Sequence, residues 1–336
     1  EEVVFDDTPY SLRTGDFPMP NLPGDNALTR EGVQLGRMLF YEPMLSLNSS
    51  MSCASCHKQA NAFTDTNRFS IGVHGLPGER QAMAVFNRAW NSNGFFWDGR
   101  AALLRDQSLM PIQDSLEMAE TLDNVVAKLS ASKKYRDQFV RAFYDEPINP
   151  TTISLALEQF MFSIVSVDSK YDRYERGEVA LTESEERGRA LFFAEYNPFF
   201  PEQSGADCAH CHSTRNFEND QFMNNGLNSD AQMADIGFEG TTGAASDRGK
   251  MKVTSLRNIE KTQPYMHDGR FQTLEEVIDH YNSGIQASST LDVTLANTLQ
   301  TGLMLTAQDK QDLVAFLKTL TDEELFTNEE YADPFN

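Results

Sequence analysis

The strongest constraint on this chain is a short pattern of cysteines and histidine that occurs twice. Cys-x-x-Cys-His runs from Cys53 to His57 and again from Cys208 to His212, and the two copies use all 4 cysteines of the 336 residues. The fold must therefore bring two cysteines and the next histidine together at two places, and no cysteine is left for another purpose.

Three kinds of chemistry use Cys-x-x-Cys. A thioredoxin-like redox pair needs no following histidine. A single zinc ion could take its ligands from both pairs, but about 150 residues separate them, which disfavours a shared site. Attachment of c-type haem needs the complete motif, because both cysteines form thioethers and the histidine is an axial iron ligand. His210 fills a variable slot of the second motif, and we expect a solvated side chain there. The motifs predict two covalent haems, one on Cys53, Cys56 and His57 and one on Cys208, Cys211 and His212.

The charge balance narrows the choice of partners. The net charge is −22, from 50 acidic and 28 basic residues, which argues against nucleic acid or an anionic membrane as a partner. No apolar run approaches the roughly 18 residues of a membrane-spanning helix. The sequence starts Glu-Glu-Val without methionine, and covalent haem attachment takes place outside the cytoplasm. We therefore expect an exported, periplasmic protein whose signal peptide has been removed.

The sequence also repeats itself around the two motifs. LTREGVQLGRMLFY (28–41) precedes the first motif and LTESEERGRALFFA (181–194) precedes the second, each with a capping threonine and Gly-Arg-x-Leu-Phe. An Arg/Asn pair and then Asp-Gly-Arg follow each motif, ending at Arg100 and Arg270. Duplication of one cytochrome-like unit explains both pairs of similar segments.

The periodicity predicts an all-α fold. Apolar residues recur at helical spacing from Ile153 to Val167, and Thr306 precedes another such helix. A helix that starts after Thr273 is predicted to stop at Gly284. We expect two helical domains, 1–170 and 171–336, with a charged boundary at 168–178 and a long loop at 229–250.

Two further segments, FFWDGRAALLRDQSLMPIQDSLEM (95–118) and PYMHDGR (264–270), show a resemblance. With the haem motifs and repeats, the chain resembles the bacterial di-haem cytochrome c peroxidase/MauG superfamily over about residues 25–325, and the MauG-like branch more closely. The resemblance implies two cytochrome c-like helical domains with one haem each and a calcium ion between them. The N-terminal haem would meet hydrogen peroxide, and the C-terminal haem would store and pass electrons.

The resemblance also implies roles for single residues. Trp97 would relay electrons between the haems, and Gln107 would orient peroxide. Glu117 would be the general acid/base that moves a proton between the peroxide oxygens, since a partly apolar pocket raises a carboxyl pKa toward working pH. The positions that match the calcium ligands are Gln81, where the family usually has Asn, Thr262 and Pro264.

The sixth ligand of the second haem separates the branches, because peroxidases use Met and MauG uses Tyr at this position. Counting from His267 through HDGRFQTLEEVIDHY, the position falls on Tyr281. His280 is the rival, since one residue on a helix turns about 100°. A methionine, Met266 or Met304, is the third alternative. His267 corresponds to Trp97 in the repeat and is expected close to the second haem.

The first haem has one candidate gating ligand. His74 lies one place from the loop histidine that blocks the iron in peroxidase relatives. It is either that gate or a loop histidine without iron contact, and a Tyr- or His-ligated second haem favours the second alternative.

Three functions follow from these features. The first is a MauG-like enzyme that uses hydrogen peroxide to form a high-valent state shared by both haems and oxidises Trp or Tyr of a partner protein. The second is a cytochrome c peroxidase that reduces peroxide to water with electrons from a small cytochrome or copper protein. The third is a di-haem electron carrier without peroxide chemistry, which Gln107 and Glu117 argue against because a carrier needs no distal acid.

Overall fold

The chain folds into two compact, mainly helical units. The computed structural model describes residues 3–200 and 203–335. One unit comprises Glu1–Gly94, Ala101–Val167 and Glu323–Asn336, and the other comprises Phe95–Arg100 and Asp168–Asp322. The all-α prediction is confirmed at the level of secondary structure. The division differs from a single boundary near residue 170, because 95–100 belong to the second unit and 323–336 to the first.

The elements follow one another in this order: α1 Arg30–Phe40, α2 Cys53–Cys56, α3 Leu104–Gln113, α4 Leu122–Ala131, α5 Lys133–Ala142, α6 Pro150–Ser163, α7 Lys170–Glu175, α8 Glu183–Phe193, β1 Phe222–Met223, α9 Glu239–Thr242, β2 Met251–Lys252, α10 Leu274–Asp279, α11 Val293–Ala296, α12 Ala307–Lys318 and α13 Glu324–Thr327. The strands β1 and β2 pair antiparallel. A π-helical turn, His280–Gly284, continues α10. Within the described residues, none of these helices is both long and apolar enough to cross a bilayer.

Helix starts agree with the predicted caps. Thr29 accepts a hydrogen bond from the Gly32 amide at the start of α1, and Thr182 caps α8 in the same way. Thr273 and Thr306 cap α10 and α12, each reciprocated by an acidic side chain three residues later. These bonds satisfy amide groups that have no partner inside the helix, which is why the threonines mark the helix starts.

The shared glycine of the two repeats allows helices to pack backbone to backbone. A Cβ on Gly36 in α1 would lie 1.9 Å from the carbonyl oxygen of Ala156 in α6. A Cβ on Gly188 in α8 would lie 1.9 Å from the carbonyl oxygen of Asp312 in α12. The same residue thus makes the same close approach in each unit, as duplication predicts.

An asparagine makes a second equivalent contact in each unit. The Asn87 amide donates to the Ile164 carbonyl, and its side-chain oxygen accepts from the Ser166 amide at 2.7 Å. In the second unit the Asn258 amide donates to the Leu320 carbonyl, and its side-chain oxygen accepts from Asp322 at 2.8 Å. Both asparagines have positive φ, 54° and 56°. Each fixes the chain that leaves the last long helix of its unit.

Aromatic side chains fill both cores. In the first unit, Phe40 packs against Phe160 and Phe63 with ring centroids 5.3 and 6.2 Å apart. In the second, Phe316 packs against Phe192 at 5.2 Å, and Phe192 against Phe217 at 5.8 Å. These rings lie next to the segments that carry the haem motifs.

Three local predictions differ from the structure. The helix that begins near Ile153 ends at Ser163, although Ile164 and Val167 are buried beyond it. Since α6 is buried almost all round, its hydrophobic periodicity does not mark the end. The predicted loop 229–250 contains the short helix α9. The helix after Thr273 does reach Gly284, but its last five residues form the π-helical turn.

Candidate functional site

The first Cys-x-x-Cys-His motif forms a single helical turn. Cys53–Cys56 is α2, and the Ser52 amide donates to Ser55 Oγ at 3.0 Å. All 4 cysteines lie in the described part of the chain, and their thiols are free rather than joined in disulfides. The turn therefore offers two thiols one helical turn apart and a histidine immediately after them.

A backbone carbonyl orients the histidine of this motif. His57 Nδ1 donates to the Phe63 carbonyl at 3.0 Å, and Phe63 has φ +57°. The Phe40 ring lies 6.4 Å from the imidazole. Burial lowers the pKa of His57, so the ring is neutral, and with Nδ1 protonated the lone pair is on Nε2. This is the arrangement that an axial iron ligand requires.

The second motif has the same histidine geometry. His212 Nδ1 donates to the Phe217 carbonyl at 2.8 Å, and Phe217 has φ +52°. Burial lowers the pKa of His212 to about 4. Cys208–His210 form a 3-10 turn, and His210 is exposed. At both motifs, thiols outside any disulfide and an oriented neutral imidazole fit covalent c-type haem.

Glu117 lies close to the first motif. It occupies a turn after α3, and its negative charge is among the causes that raise the pKa of the Cys53 and Cys56 thiols, after burial. Gln107 lies on α3 itself. His74 is exposed on a loop, and the neighbouring Val73 amide donates to the Glu117 carbonyl at 2.8 Å. The structure thus brings the predicted general acid/base to the first motif and ties the His74 loop to it.

Trp97 and His267, the equivalent residues of the two repeats, lie together in the second unit. Their rings are 6.4 Å apart at 68°. His267 is buried, and its Nε2 lies 3.9 Å from the Asp235 carboxylate. The Trp97 carbonyl accepts from the Lys252 amide at 2.8 Å, which holds the indole segment against β2.

Tyr281 lies beside the second motif. The pKa of Tyr281 is raised to about 12, mainly by burial; the hydrogen bond from Asn225 opposes the rise, and the nearby Cys211 and Cys208 thiols contribute to it. Asn225 Nδ2 donates to the Tyr281 hydroxyl at 3.3 Å and to Met266 Sδ at 3.3 Å. Met266 has φ +76°. The phenol and the thioether are therefore held by one amide group.

His280 is positioned differently from Tyr281. It is buried, and its Nε2 donates to the Asn225 carbonyl at 2.9 Å. Its Nδ1 lies beside Gly284 within its own turn, since a Cβ there would come within 3.3 Å. Burial lowers the pKa of His280, so its ring is neutral. Met304, the remaining alternative ligand, is 36% exposed.

The residues predicted to bind calcium are divided between the units. Gln81 is buried in the first unit, where its Nε2 donates to Thr64 Oγ1 at 2.9 Å. In the second unit, Thr262 Oγ1 donates to the Ile259 carbonyl and Pro264 is buried. Across the described residues, no three His, Cys, Asp or Glu side chains converge on a metal-sized site. Calcium bound by amide and carbonyl oxygens stays a prediction.

Comparison with known proteins identifies the family. The family model for di-haem cytochrome c peroxidase matches residues 30–180. The methylamine utilization protein MauG of Methylorubrum extorquens is 36% identical over 303 residues, which cover 90% of this chain and 81% of MauG. The chain belongs to the di-haem cytochrome c peroxidase/MauG family. It is accordingly a peroxide-using oxidoreductase, and the family implies two c-type haems.

Other members of the di-haem peroxidase family extend the comparison. The cytochrome c peroxidase Ccp of Escherichia coli is 33% identical, over 90% of this chain and 61% of its own length. A crystal structure of a MauG-like protein associated with microbial copper homeostasis superposes with a TM-score of 0.83 at 38% identity, covering 95% of this chain and 97% of that one. The diheme peroxidase BthA from Burkholderia thailandensis, at 21% identity and TM-score 0.71, shares the fold.

Sequence reasoning missed Phe63, Phe217 and Asn225. The two phenylalanines act through their carbonyls, which carry no side-chain signal, and they follow the motif histidines by six and five residues, so the repeat does not align them. Asn225 lies 56 residues before Tyr281. Only a structure can bring residues so distant in sequence together.

Proposed function

We propose that this protein is a MauG-like enzyme that uses hydrogen peroxide at the haem on Cys53, Cys56 and His57. It oxidises Trp or Tyr side chains of a partner protein by way of the second haem. The observation that carries the proposal is Tyr281, whose phenol lies beside the second haem motif while His280 Nε2 donates a hydrogen bond to a backbone carbonyl. The location we propose is the periplasm.

The haems, when bound, would bind peroxide and store the two oxidising equivalents that peroxide supplies, and the protein side chains handle protons and electron transfer. Glu117 is the group that moves the proton from the inner to the outer peroxide oxygen, so that water leaves as the O–O bond breaks. Gln107 orients the peroxide. Trp97 carries electrons between the haems, with the His267 imidazole 6.4 Å from its ring. Oxidation of a partner at the surface needs no substrate pocket.

Tyr281 is the proposed sixth ligand of the second haem. A phenolate oxygen is an anionic donor and stabilises oxidised iron more than a neutral thioether does. This favours a second haem that shares oxidising equivalents over one that stays reduced as an electron reservoir. We propose that His74 is a loop residue without iron contact, because a second haem of this type needs no gate at the first.

A conventional cytochrome c peroxidase is the second candidate. Met266 Sδ shares the Asn225 amide with Tyr281, so a thioether is available in the same cluster. A di-haem electron carrier is less well supported, because Glu117 lies close to the first motif and a carrier has no use for an acid there.

Electron paramagnetic resonance of the fully oxidised protein tests the proposal. We expect one high-spin iron with an open position and one low-spin iron. Tyr281→Phe should abolish the wild-type low-spin signal and give a different one in its place. Tyr196→Phe is the matched control, since this tyrosine of the same unit contacts Thr301. A low-spin signal unchanged by Tyr281→Phe would rule out the phenolate, and a need for prior half-reduction before peroxide reacts would favour the conventional peroxidase.

A further inference from the structure

Asn225 contacts three of the side chains that compete for the second iron. Its amide Nδ2 donates to the Tyr281 hydroxyl and to Met266 Sδ, both at 3.3 Å. Its backbone carbonyl accepts from His280 Nε2 at 2.9 Å. One residue therefore contacts a phenol, a thioether and an imidazole. Its backbone carbonyl contacts the imidazole, and its side-chain amide contacts the other two.

The backbone around Asn225 is fixed on both sides. The preceding Asn224 donates from Nδ2 to Ser288 Oγ at 3.0 Å and to Thr290 Oγ1 at 2.9 Å. The following Gly226 has φ +70° and accepts from the Gln286 amide at 2.8 Å. A Cβ on Gly226 would lie 2.5 Å from a side-chain carbon of Ile285. Asn225 thus presents its amide and its carbonyl from a segment that has little freedom to move, as a positioning group requires.

The turn that carries the two aromatic ligand candidates is held by the same residue. His280 and Tyr281 are the first two residues of the π-helical turn, which ends at Gly284. The bond from His280 Nε2 to the Asn225 carbonyl fixes the imidazole, and the adjacent phenol is bonded by the Asn225 amide. For His280 to bind iron through Nε2, it would have to break this hydrogen bond and leave a half-buried carbonyl without its donor.

We propose that Asn225 is a positioning residue that selects the sixth ligand of the second haem: its carbonyl withholds the imidazole of His280, and its amide steadies the oxygen of Tyr281. The selection rests on the proposed function, in which Tyr281 is that ligand. Asn225 acts through Tyr281 and His280 and takes no part in bond making or breaking.

The test is competition by added imidazole for the second haem of the oxidised holoprotein. Imidazole also binds the open first haem, so binding at the second haem is followed by the loss of the wild-type low-spin signal. That signal is lost only when Tyr281 leaves the iron, so the apparent affinity for this step reports how firmly the phenolate is held. Asn225→Leu keeps the size of the side chain and removes both amide donors. A hydrogen bond to a charged oxygen contributes about 1.5–3 kcal/mol, so imidazole should bind the variant roughly tenfold more tightly or better. Asn225→Asp, which also removes the donors, is the second variant should the leucine protein fail to fold.

Asn228→Leu is the matched control. It lies three residues further along the same segment, and its side-chain oxygen accepts a hydrogen bond from Arg270. The control should bind imidazole with wild-type affinity. Thermal unfolding of all the variants separates positioning from stability, because a purely structural asparagine would lower the melting temperature without changing imidazole affinity.

Each outcome decides one question. Tighter imidazole binding in Asn225→Leu, or replacement of the phenolate spectrum by that of a thioether ligand, supports the selection. Wild-type affinity and an unchanged spectrum in both Asn225 variants, while Tyr281→Phe does alter the low-spin signal, would overturn it and leave the proposed function standing. A Tyr281→Phe protein with the wild-type low-spin signal would remove the proposed function and the selection together.

Discussion

Replacing Gly188 with alanine tests whether the glycine of the repeat is required for helix packing. Its Cβ would meet the carbonyl oxygen of Asp312 at 1.9 Å and Phe316 Cβ at 2.9 Å. The oxygen belongs to the backbone of α12 and cannot rotate away. Asp312 is also held in place from α8, where Ser184 Oγ and Arg187 Nε donate to its carboxylate. The added methyl group must therefore push the two helices apart.

The distances give the size of the effect. Real Cβ contacts essentially never fall under 3.0 Å, so the gap must grow from 1.9 Å by about 1.1 Å. Overpacking of a core costs about 1–3 kcal/mol, and a backbone contact belongs at the upper end of that range. Alanine regains about 1 kcal/mol of helix propensity. The net loss in the free energy of unfolding should be about 2 kcal/mol, equivalent to a fall of about 4–8 °C in melting temperature for a unit of this size.

Chemical unfolding of the holoprotein, followed by far-ultraviolet circular dichroism, measures this loss. Gly240→Ala in α9 is the control, because its Cβ would meet only the Ile236 side chain, at 3.8 Å. The control should be as stable as the wild type or slightly more so. Equal stability of Gly188→Ala and Gly240→Ala would refute the argument that direct backbone contact between α8 and α12 organises the second unit.

Four further predictions follow. Gly36→Ala should destabilise the first unit by a similar amount, about 2 kcal/mol by the same reasoning, as measured by the same unfolding assay. Arg257→Met should cost about 3–5 kcal/mol in the free energy of unfolding, because it strands the buried Asp172 carboxylate that Arg257 binds with two bonds of 2.7 Å. Burial alone would raise the pKa of Asp172, but Arg257 and Ser169 outweigh it and hold the pKa below the ordinary 3.8. The stability that this carboxylate contributes should therefore be fully present above pH 3.8 and be lost as the pH drops through the lower pKa of the folded state. Asp172→Asn should flatten that part of the profile of stability against pH. His280→Phe should keep the low-spin signal of the oxidised protein in electron paramagnetic resonance. Loss of that signal in the variant would show that the imidazole is the ligand.

Much of the fold could be predicted from local sequence. Thr29, Thr182, Thr273 and Thr306 mark helix starts because a threonine oxygen satisfies amides that the helix itself leaves without partners. The end of α6 could not be predicted in this way. Its residues are buried on nearly every side up to Ser163, so no change of hydrophobic pattern marks where the helix stops.

The candidate site also has one part that could be predicted from local sequence and one part that could not. Each Cys-x-x-Cys-His lies within five consecutive residues, so the sequence alone predicts where haem attaches. Tyr281 and His280 are adjacent, and no local pattern distinguishes them as ligands. The tertiary structure decided how each is held, because the π-helical turn sets their directions and Asn225, 56 residues before Tyr281 in the chain, supplies a carbonyl to one and an amide to the other. A motif of neighbouring residues can be recognised in the sequence, whereas the direction of a ligand depends on contacts between distant residues that only folding brings together.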